Sequence, residues 1–125
     1  MFAGDRASAA LGMHVEVVRS GYARVTMTIT ESMLNGHDIA HGGYVFLLAD
    51  TAFACACNSG RPTTVAATAE IDFLVPVRLG DQLEAEAIER YAAGRSGITD
   101  VRVRRITPEP AVVAEFRGRS RTLRD

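Results

Sequence analysis

The sequence predicts an α+β domain in which one antiparallel sheet wraps around a single buried helix. The central observation is an apolar segment of helix length, residues 44–57, which few polar residues interrupt. Two segments before it and four after it have the composition or the alternation of strands, and glycine or proline separates most of them. Six strands and one long helix share a core only if the strands form a sheet that covers the helix.

The first 30 residues predict one short helix and two strands. Residues 1–12 predict a loosely attached helix, because they are rich in alanine and end at a glycine. Residues 22–30 alternate apolar side chains with arginine and threonine, which is the period of a half-buried strand. A preceding strand over residues 14–18 is expected to pair with it.

The remaining chain predicts the buried helix and four further strands. The helix over residues 44–57 would span roughly 20 Å, at about 1.5 Å per residue. After the turn "NSGRPT", strands are expected over residues 65–77, 82–91, 98–106 and 111–123. The second of these is the most ambiguous, because its glutamates and alanines also favour helix.

Length and composition narrow the class of protein. A chain of 125 residues has the size of one domain, so we expect residues 1–125 to form a single unit. Its 14 positive residues, all arginine, are balanced by 15 acidic ones, which argues against nucleic-acid binding. No run approaches the roughly 20 apolar residues of a membrane span, and a cytoplasmic protein is expected. Cys55 and Cys57 fit buried thiols of a reducing compartment.

Asp50 is the most informative single residue, because it places a carboxylate inside the apolar helix. On that helix it shares a face with Phe46, Leu47, Phe53 and Ala54. An unpaired buried charge costs several kcal/mol. Either this face meets solvent or an arginine pairs with Asp50, or Asp50 lies in a cleft as a general base or nucleophile whose basicity is raised by partial desolvation.

The residues before the helix favour the cleft. His41, Gly42 and Gly43 supply no Ser, Thr, Asp or Asn to cap the first turn, so its N–H groups are expected to remain available. Glycine permits close approach of another molecule, and the positive end of the helix dipole favours an oxygen anion, such as that of a thioester under attack. The alternative is a plain glycine turn.

Other polar residues of this loop have simpler interpretations. Asn35 could close an Asn-Gly turn with Gly36, and His41 could orient the loop by hydrogen bonding. A metal site involving His37 and His41 is not expected, because they lie in a glycine-bearing loop without a recognised set of further ligands. The chain contains no G-x-S-x-G elbow, P-loop or G-x-G-x-x-G fingerprint.

Taken together, "NGHDIAHGGYVFLLADTAFACACNSG", "IDFLVPVRLGD" and "FRGRS" resemble the PaaI-type branch of the hot-dog acyl-CoA thioesterases, and the likeness extends over residues 12–121. The resemblance implies a hot-dog fold, in which an antiparallel sheet wraps one long central helix. It also implies subunits that pair through their sheets, usually as two dimers in a homotetramer. Each active site would then lie at a dimer interface, where Asp50 of one subunit faces the glycine loop of the other.

The resemblance also implies roles for individual residues. Asp50 would be the catalytic carboxylate, the Gly43 N–H would polarise the thioester oxygen, and Asn35, His41 and Gly42 would shape the pocket opposite. Asp38 receives no role, and no cofactor or metal is expected. Coenzyme A carries phosphates, which Arg117 and Arg119, alternating along the last strand, could bind. A solvated outer sheet face would show the same pattern.

The function that follows is hydrolysis of a small acyl-CoA thioester, preferentially an aromatic one of the phenylacetyl type. Asp50 would activate water or attack the carbonyl itself, and the sequence leaves both routes open. One alternative is an acyl-CoA hydratase, because related hot-dog proteins use a carboxylate and a histidine for that reaction. The other is a non-catalytic module that binds acyl-CoA.

Overall fold

The computed structural model describes residues 4–123 and confirms a six-stranded antiparallel sheet wrapped around one long helix. The sheet order is β1-β2-β4-β5-β6-β3, and each neighbouring pair is antiparallel. The elements in chain order are α1 (Arg6–Ala10), β1 (His14–Arg19), β2 (Tyr22–Thr28), α2 (Gly42–Asn58), β3 (Thr64–Phe73), β4 (Gln82–Ala93), β5 (Ser96–Thr107) and β6 (Ala111–Thr122).

The ambiguous segment after residue 81 is a strand. β4 lies between β2 and β5, so its backbone is paired on both sides. Leu83, Ala85 and Ala87 point into the core and are at most 1% exposed, whereas the intervening glutamates face outward. Tertiary packing therefore overrides the helix preference of its alanines and glutamates.

The central helix α2 is longer than the apolar run predicts, because it begins at Gly42 and ends at Asn58. Leu48, Ala49 and Ala52 are fully buried against the sheet. At the C-terminus, the Asn58 Nδ2 donates to the carbonyls of Ala54 at 2.8 Å and Thr64 at 3.0 Å. These bonds join the end of the helix to the start of β3.

Strand β3 differs most from its predicted extent. It ends at Phe73 rather than at residue 77, because the chain turns away from β6 before Pro76 and then runs beside the loop, where the Val77 carbonyl accepts from the Ala40 N–H at 2.7 Å. β3 is paired with β6 alone and is exposed along most of its ten residues. One chain therefore leaves a long sheet edge uncovered.

The predicted N-terminal helix is present, but it packs against α2 and is not the loosely attached segment that the sequence predicts. Ser8 of α1 is fully buried, and its Oγ lies 2.9 Å from Thr51 Oγ1 of α2. Gly12 follows the helix with a φ of 72°, the left-handed conformation that commonly ends helices. Residues 1–3 of the predicted segment lie outside the described residues.

Two further sequence predictions concern α2. Cys55 and Cys57 are both buried and free, as expected, and burial raises the pKa of each thiol. Within residues 4–123, no helix combines the length and the apolar character needed to cross a membrane.

Candidate active site

Asn35 organises the loop that leads into α2. Its Oδ1 accepts hydrogen bonds from the His37 N–H at 2.8 Å and the Ile39 N–H at 3.4 Å. The turn-closing interpretation of Asn35 is therefore confirmed. These contacts use only the carbonyl end of the amide, and among residues 4–123 no acceptor lies on its Nδ2. The same side chain can thus hold the loop and donate to a bound molecule.

His41 is the N-cap of α2, and the expectation of an uncapped first turn is wrong. Its Nδ1 accepts the Gly43 N–H at 3.2 Å. Its backbone N–H donates to the Met33 carbonyl at 2.8 Å, so the ring is held at the start of the helix. An imidazole caps because its unprotonated nitrogen is an acceptor, and in the neutral ring the proton then lies on Nε2. His41 therefore directs an N–H donor outward.

The two glycines consequently differ in what they offer. Gly42 is the first residue of α2 and Gly43 is the second, where its N–H is already engaged by His41. In the described part of the chain, the Gly42 N–H donates to no acceptor. A Cβ at Gly42 would lie 3.0 Å from Cζ of Phe73, so that ring occupies the space of a side chain. The open first-turn donor is that of Gly42.

An apolar cavity of about 370 Å³ lies directly beside Gly42. The loop contributes Asn35, and the stretch that follows β3 contributes most of the apolar wall. Phe73 is 54% exposed despite its contact with Gly42, because one face of its ring borders this cavity. The lining residues are Asn35, Ile39, Ala40, Gly42, Val45, Phe73, Leu74, Val75, Pro76, Val77 and Val113.

Asp50 lies on the incompletely covered side of α2. Burial raises the pKa of its carboxyl above the usual value, and the negative charge of Asp5 raises it further. No arginine of residues 4–123 acts on it, so within one chain Asp50 has no arginine partner. A partly desolvated carboxylate without a cation is a stronger base than a solvated one.

Asp50 and the start of α2 are well separated along the helix axis. Asp50 follows Gly43 by seven residues, which at about 1.5 Å per residue is roughly 10 Å along the axis. The carbon and oxygen of a thioester carbonyl are bonded to each other, so the base and the oxyanion donor have to converge on neighbouring atoms. This separation is an argument for a site to which two copies of the chain contribute.

Arg117 and Arg119 lie on the outer face of the sheet, as the solvated-face interpretation predicts. Arg117 donates to both carboxylate oxygens of Asp100, at 2.6 and 2.9 Å, and these hydrogen bonds lower the pKa of Asp100. Arg119 is 3.7 Å from Glu70. A depression of about 480 Å³ on this face is lined mainly by such paired charges. The structure does not bring either arginine to Gly42 or Asp50 of the same chain.

Metal ligation receives no support from the described residues. Within residues 4–123, no group of three or more His, Cys, Asp or Glu side chains is placed to hold an ion. His37 is exposed on the turn that Asn35 closes, and His41 uses Nδ1 for the cap.

Two elements of the site are absent from the sequence prediction. Phe73 contacts Gly42 from a position 31 residues later in the chain, and nothing local to either residue indicates this contact. Asp5, the N-cap residue of α1, acts on Asp50 from a segment that the sequence predicts to be loosely attached. In both cases the sheet and helix packing, rather than a motif, creates the proximity.

The geometry agrees with comparisons to known proteins. A family model described as "Thioesterase superfamily" matches residues 37–112. The acyl-coenzyme A thioesterase PaaI of Escherichia coli is 43% identical over 98% of this chain and 86% of its own length.

Two solved structures have the same fold over most of the chain. That of E. coli PaaI, from the phenylacetic acid degradation operon, superposes with a TM-score of 0.93 and covers 99% of this chain and 88% of its own. A mutant of the phenylacetic acid degradation protein PaaI from Thermus thermophilus is 34% identical, with a TM-score of 0.88, and covers 95% of this chain and 100% of its own. This chain therefore belongs to the PaaI-type branch of the thioesterase superfamily, with its hot-dog fold, and is a thioester hydrolase.

Proposed function

We propose that the protein hydrolyses acyl-CoA thioesters, with Asp50 as the catalytic carboxylate and the start of α2 as the oxyanion site. The observation that carries this proposal is a partly desolvated carboxylate without a cationic partner, on the same helix as an open N-terminal donor. The E. coli relative that is 43% identical is an acyl-coenzyme A thioesterase, which supports the same substrate class.

The chemical step needs one base and at least one oxyanion donor. In the general-base route, Asp50 takes a proton from water as the water oxygen attacks the thioester carbon. The C–S bond then breaks, the acid is released, and the proton on Asp50 passes to the departing CoA thiolate. In the nucleophilic route, Asp50 attacks directly and displaces the thiolate, and water then hydrolyses the resulting anhydride.

The oxyanion is stabilised by donors of the loop and the first helical turn. The Gly42 N–H is the first of these, because the Gly43 N–H proposed from the resemblance is engaged by the His41 ring. The Nδ2 of Asn35 and the Nε2–H of His41 are the side-chain donors nearest in the chain. Gly43 then contributes by holding His41 in position, and its N–H reaches the substrate only if that ring rotates away.

The active site is completed by a second copy of the chain. The separation of roughly 10 Å between the first turn and Asp50 along the helix axis supports a site in which the two groups come from different subunits. The ten-residue edge strand β3 offers unpaired backbone groups through which two sheets can join. A homodimer is therefore the smallest active unit, and the resemblance favours two such dimers in a tetramer.

The acyl group is small and apolar, with a phenylacetyl-type aromatic group as the proposed preference. The cavity of about 370 Å³ beside Gly42 is lined mainly by apolar residues, and the exposed Phe73 ring offers an aromatic surface. Two PaaI relatives with this fold are described as phenylacetic acid degradation proteins, which supports an aromatic acid.

Coenzyme A phosphates would bind at exposed arginines. Arg119 is the better candidate, because its 3.7 Å contact to Glu70 is long and its side chain is 50% exposed. Arg117 is held by two short hydrogen bonds to Asp100, so a phosphate would have to displace that carboxylate.

The test is release of free CoA thiol from a panel of aromatic and aliphatic acyl-CoAs. Asp50→Asn is expected to lower turnover by roughly 100 to 10,000-fold, the usual contribution of a general base. Asp38→Asn is the matched control, because Asp38 is exposed and its left-handed φ of 59° suits asparagine. Normal turnover in folded Asp50→Asn would exclude Asp50 from the chemistry.

Mixed assemblies test whether the site is shared. Asn35→Ala and Asp50→Asn subunits, each inactive alone, form heterodimers in which one of two sites has both native residues. Random exchange should then restore about a quarter of the wild-type activity, because half of the dimers carry one intact site. No recovery after demonstrated exchange would place both residues in the same chain's site or make Asn35 dispensable.

The same assays separate the alternatives. A hydratase would convert an unsaturated acyl-CoA into its hydroxyacyl-CoA without thiol release. A binding module would show saturable acyl-CoA binding but no turnover. In hydrolysis in ¹⁸O water under single-turnover conditions, ¹⁸O in the Asp50 carboxyl group identifies the nucleophilic route with attack of water on the Asp50 carbonyl of the anhydride, because the general-base route places ¹⁸O only in the product acid.

A further inference from the structure

A buried chain of hydroxyl groups connects the N-terminal helix to the centre of α2. Ser8 is fully buried and Thr51 is 3% exposed, and their hydroxyl oxygens lie 2.9 Å apart. Ser8 Oγ also donates to Asp5 Oδ2 at 2.7 Å, and the Ser8 N–H donates to Asp5 Oδ1 at 3.0 Å. Burial of two hydroxyl groups is favourable here because each is hydrogen-bonded.

The direction of this chain follows from counting protons. A hydroxyl group has one proton, and that of Ser8 is given to the Asp5 carboxylate. Thr51 must therefore donate to Ser8 in the 2.9 Å contact. The order of donation is Thr51 to Ser8 to Asp5, and it ends on an acceptor that takes two bonds from Ser8. This arrangement fixes the position of the Asp5 carboxylate relative to α2.

These bonds place the Asp5 carboxylate close to Asp50, because Asp5 Oδ2 lies 2.7 Å from Ser8 Oγ, which lies 2.9 Å from Thr51 Oγ1, and Thr51 directly follows Asp50. Burial is the main reason that the pKa of Asp50 is raised, and the charge of Asp5 is the second. Asp50 is the one charged residue of α2. The core-facing residues of the strands that pack on this helix are uncharged, and Arg6 on α1 is exposed. Asp5 is therefore the charged group of the described chain that acts on Asp50.

We propose that α1 is a positioning element of the active site, in which Thr51 and Ser8 hold the Asp5 carboxylate near Asp50 so that its negative charge makes Asp50 a stronger base. Asp5, Ser8 and Thr51 are positioning residues and do not touch the substrate. The inference rests on the proposed function of Asp50 as the catalytic carboxylate. It assigns a task to a segment whose local composition indicates only a weak helix.

The first test replaces the charge and keeps the shape. Asp5→Asn retains an oxygen acceptor for Ser8 but removes the negative charge near Asp50. The titration of Asp50, followed by ¹³C NMR of labelled aspartate and assigned by its loss in Asp50→Asn, should move to lower pH. The acidic limb of kcat/KM should move in the same direction, and kcat on the alkaline plateau should fall a few-fold. Glu109→Gln, which neutralises an exposed glutamate in the β5–β6 turn, should change neither.

The second test breaks the connection and keeps the charge. Thr51→Val preserves side-chain volume but removes the donor to Ser8, so Asp5 is no longer held to α2. The Asp50 titration should again move to lower pH, by less than in Asp5→Asn. Thr51→Ser retains the hydroxyl group and should leave the Asp50 titration as in the wild type. A merely structural role would lower the melting temperature of Thr51→Val without moving the titration.

The outcomes separate this inference from the proposed function. An unchanged Asp50 titration in folded Asp5→Asn would overturn the positioning role, whatever the activity. A shifted titration in a protein that releases no thiol from any acyl-CoA would keep the charge coupling but overturn the proposed function, and with it the catalytic meaning of α1. Shifts of both the NMR titration and the acidic limb support the inference.

Discussion

The sharpest perturbation of the oxyanion site is removal of a single N–H at Gly42. Gly42→Pro deletes this donor at the first position of α2, where proline is well tolerated because no intrahelical bond is lost. The preceding residue, His41, has φ −61° and ψ 133°, an extended conformation that a following proline favours. The substitution should therefore leave the helix start intact.

Proline also adds bulk, and a second variant separates this effect. A Cβ at position 42 would lie 3.0 Å from Cζ of Phe73, which requires a small displacement of that exposed ring. Gly42→Ala introduces the same Cβ but keeps the N–H. The ratio of the kcat values of these two variants therefore measures the contribution of the N–H donor more directly than the kcat of either variant alone.

The expected size follows from one lost oxyanion donor. Such a loss costs roughly 100 to 1,000-fold in kcat, or about 2.7 to 4 kcal/mol of transition-state stabilisation. We expect kcat of Gly42→Pro to lie below that of Gly42→Ala by this factor, because the donor acts on charge that develops during attack. KM should differ little between the two variants, since the ground-state carbonyl carries little of that charge.

The measurement is thiol release from phenylacetyl-CoA, together with circular dichroism and binding of an unreactive acyl-CoA analogue. Helix content, assembly and analogue binding should be retained in both variants. If Gly42→Pro turns over as fast as Gly42→Ala, the open donor at Gly42 is not used. The Gly43 N–H would then be the next candidate, and His41 would have to release it during turnover.

Three further predictions concern stability and substrate binding. The pKa of Asp50 is raised in the folded state, so its ionised form opposes folding. Asp50→Asn should therefore raise the melting temperature at neutral pH. This gain should fade in acid, where the wild-type Asp50 is protonated in both the folded and the unfolded state. Arg119→Gln should raise KM for acyl-CoA on the order of tenfold, whereas Arg117→Gln should leave it nearly unchanged. Measuring KM of both variants at several salt concentrations checks this difference. Gly118→Ala should lower the unfolding free energy in urea by about 1 to 3 kcal/mol, because its Cβ would lie 2.7 Å from the buried ring of Phe53; an unchanged midpoint would mean that this ring moves freely.

The sequence predicts elements well where one local period and one burial pattern agree. β2 alternates apolar and polar residues, and Ala23, Val25 and Met27 are indeed its buried set. The extent of β3 is less predictable, because its end is decided by contacts of Leu74 and Val77 with distant backbone groups. Alternation thus predicts which face is buried, whereas the end of a strand depends on partners that the local sequence does not show.

The candidate site shows the same division. Asp50 stands out because a carboxylate within an apolar helix needs an explanation. The His41 cap is not predictable from the usual set of N-cap residues, which excludes histidine, although its Nδ1 accepts the Gly43 N–H here. Alternation placed Arg117 on one face, but only the cross-strand register shows that Asp100 lies opposite and engages it. The sequence predicts a functional group that depends on a single residue, such as Asp50. It does not predict a pair such as Arg117 and Asp100, which the strand register brings together.

In a shared site, assembly and catalysis are coupled, because a single chain holds Asp50 and the donor of Gly42 well apart along one helix. Asp50 is only partly covered in one subunit, so the loop of a partner would complete its desolvation and raise its basicity beyond the effects of burial and Asp5 seen here. The same contact would bring the donors of Gly42 and Asn35 to the substrate held at Asp50. In such a shared site, dissociation would separate the oxyanion donors of one subunit from Asp50 of the other and rehydrate this base, so a folded monomer would have both groups but could not bring them to one substrate.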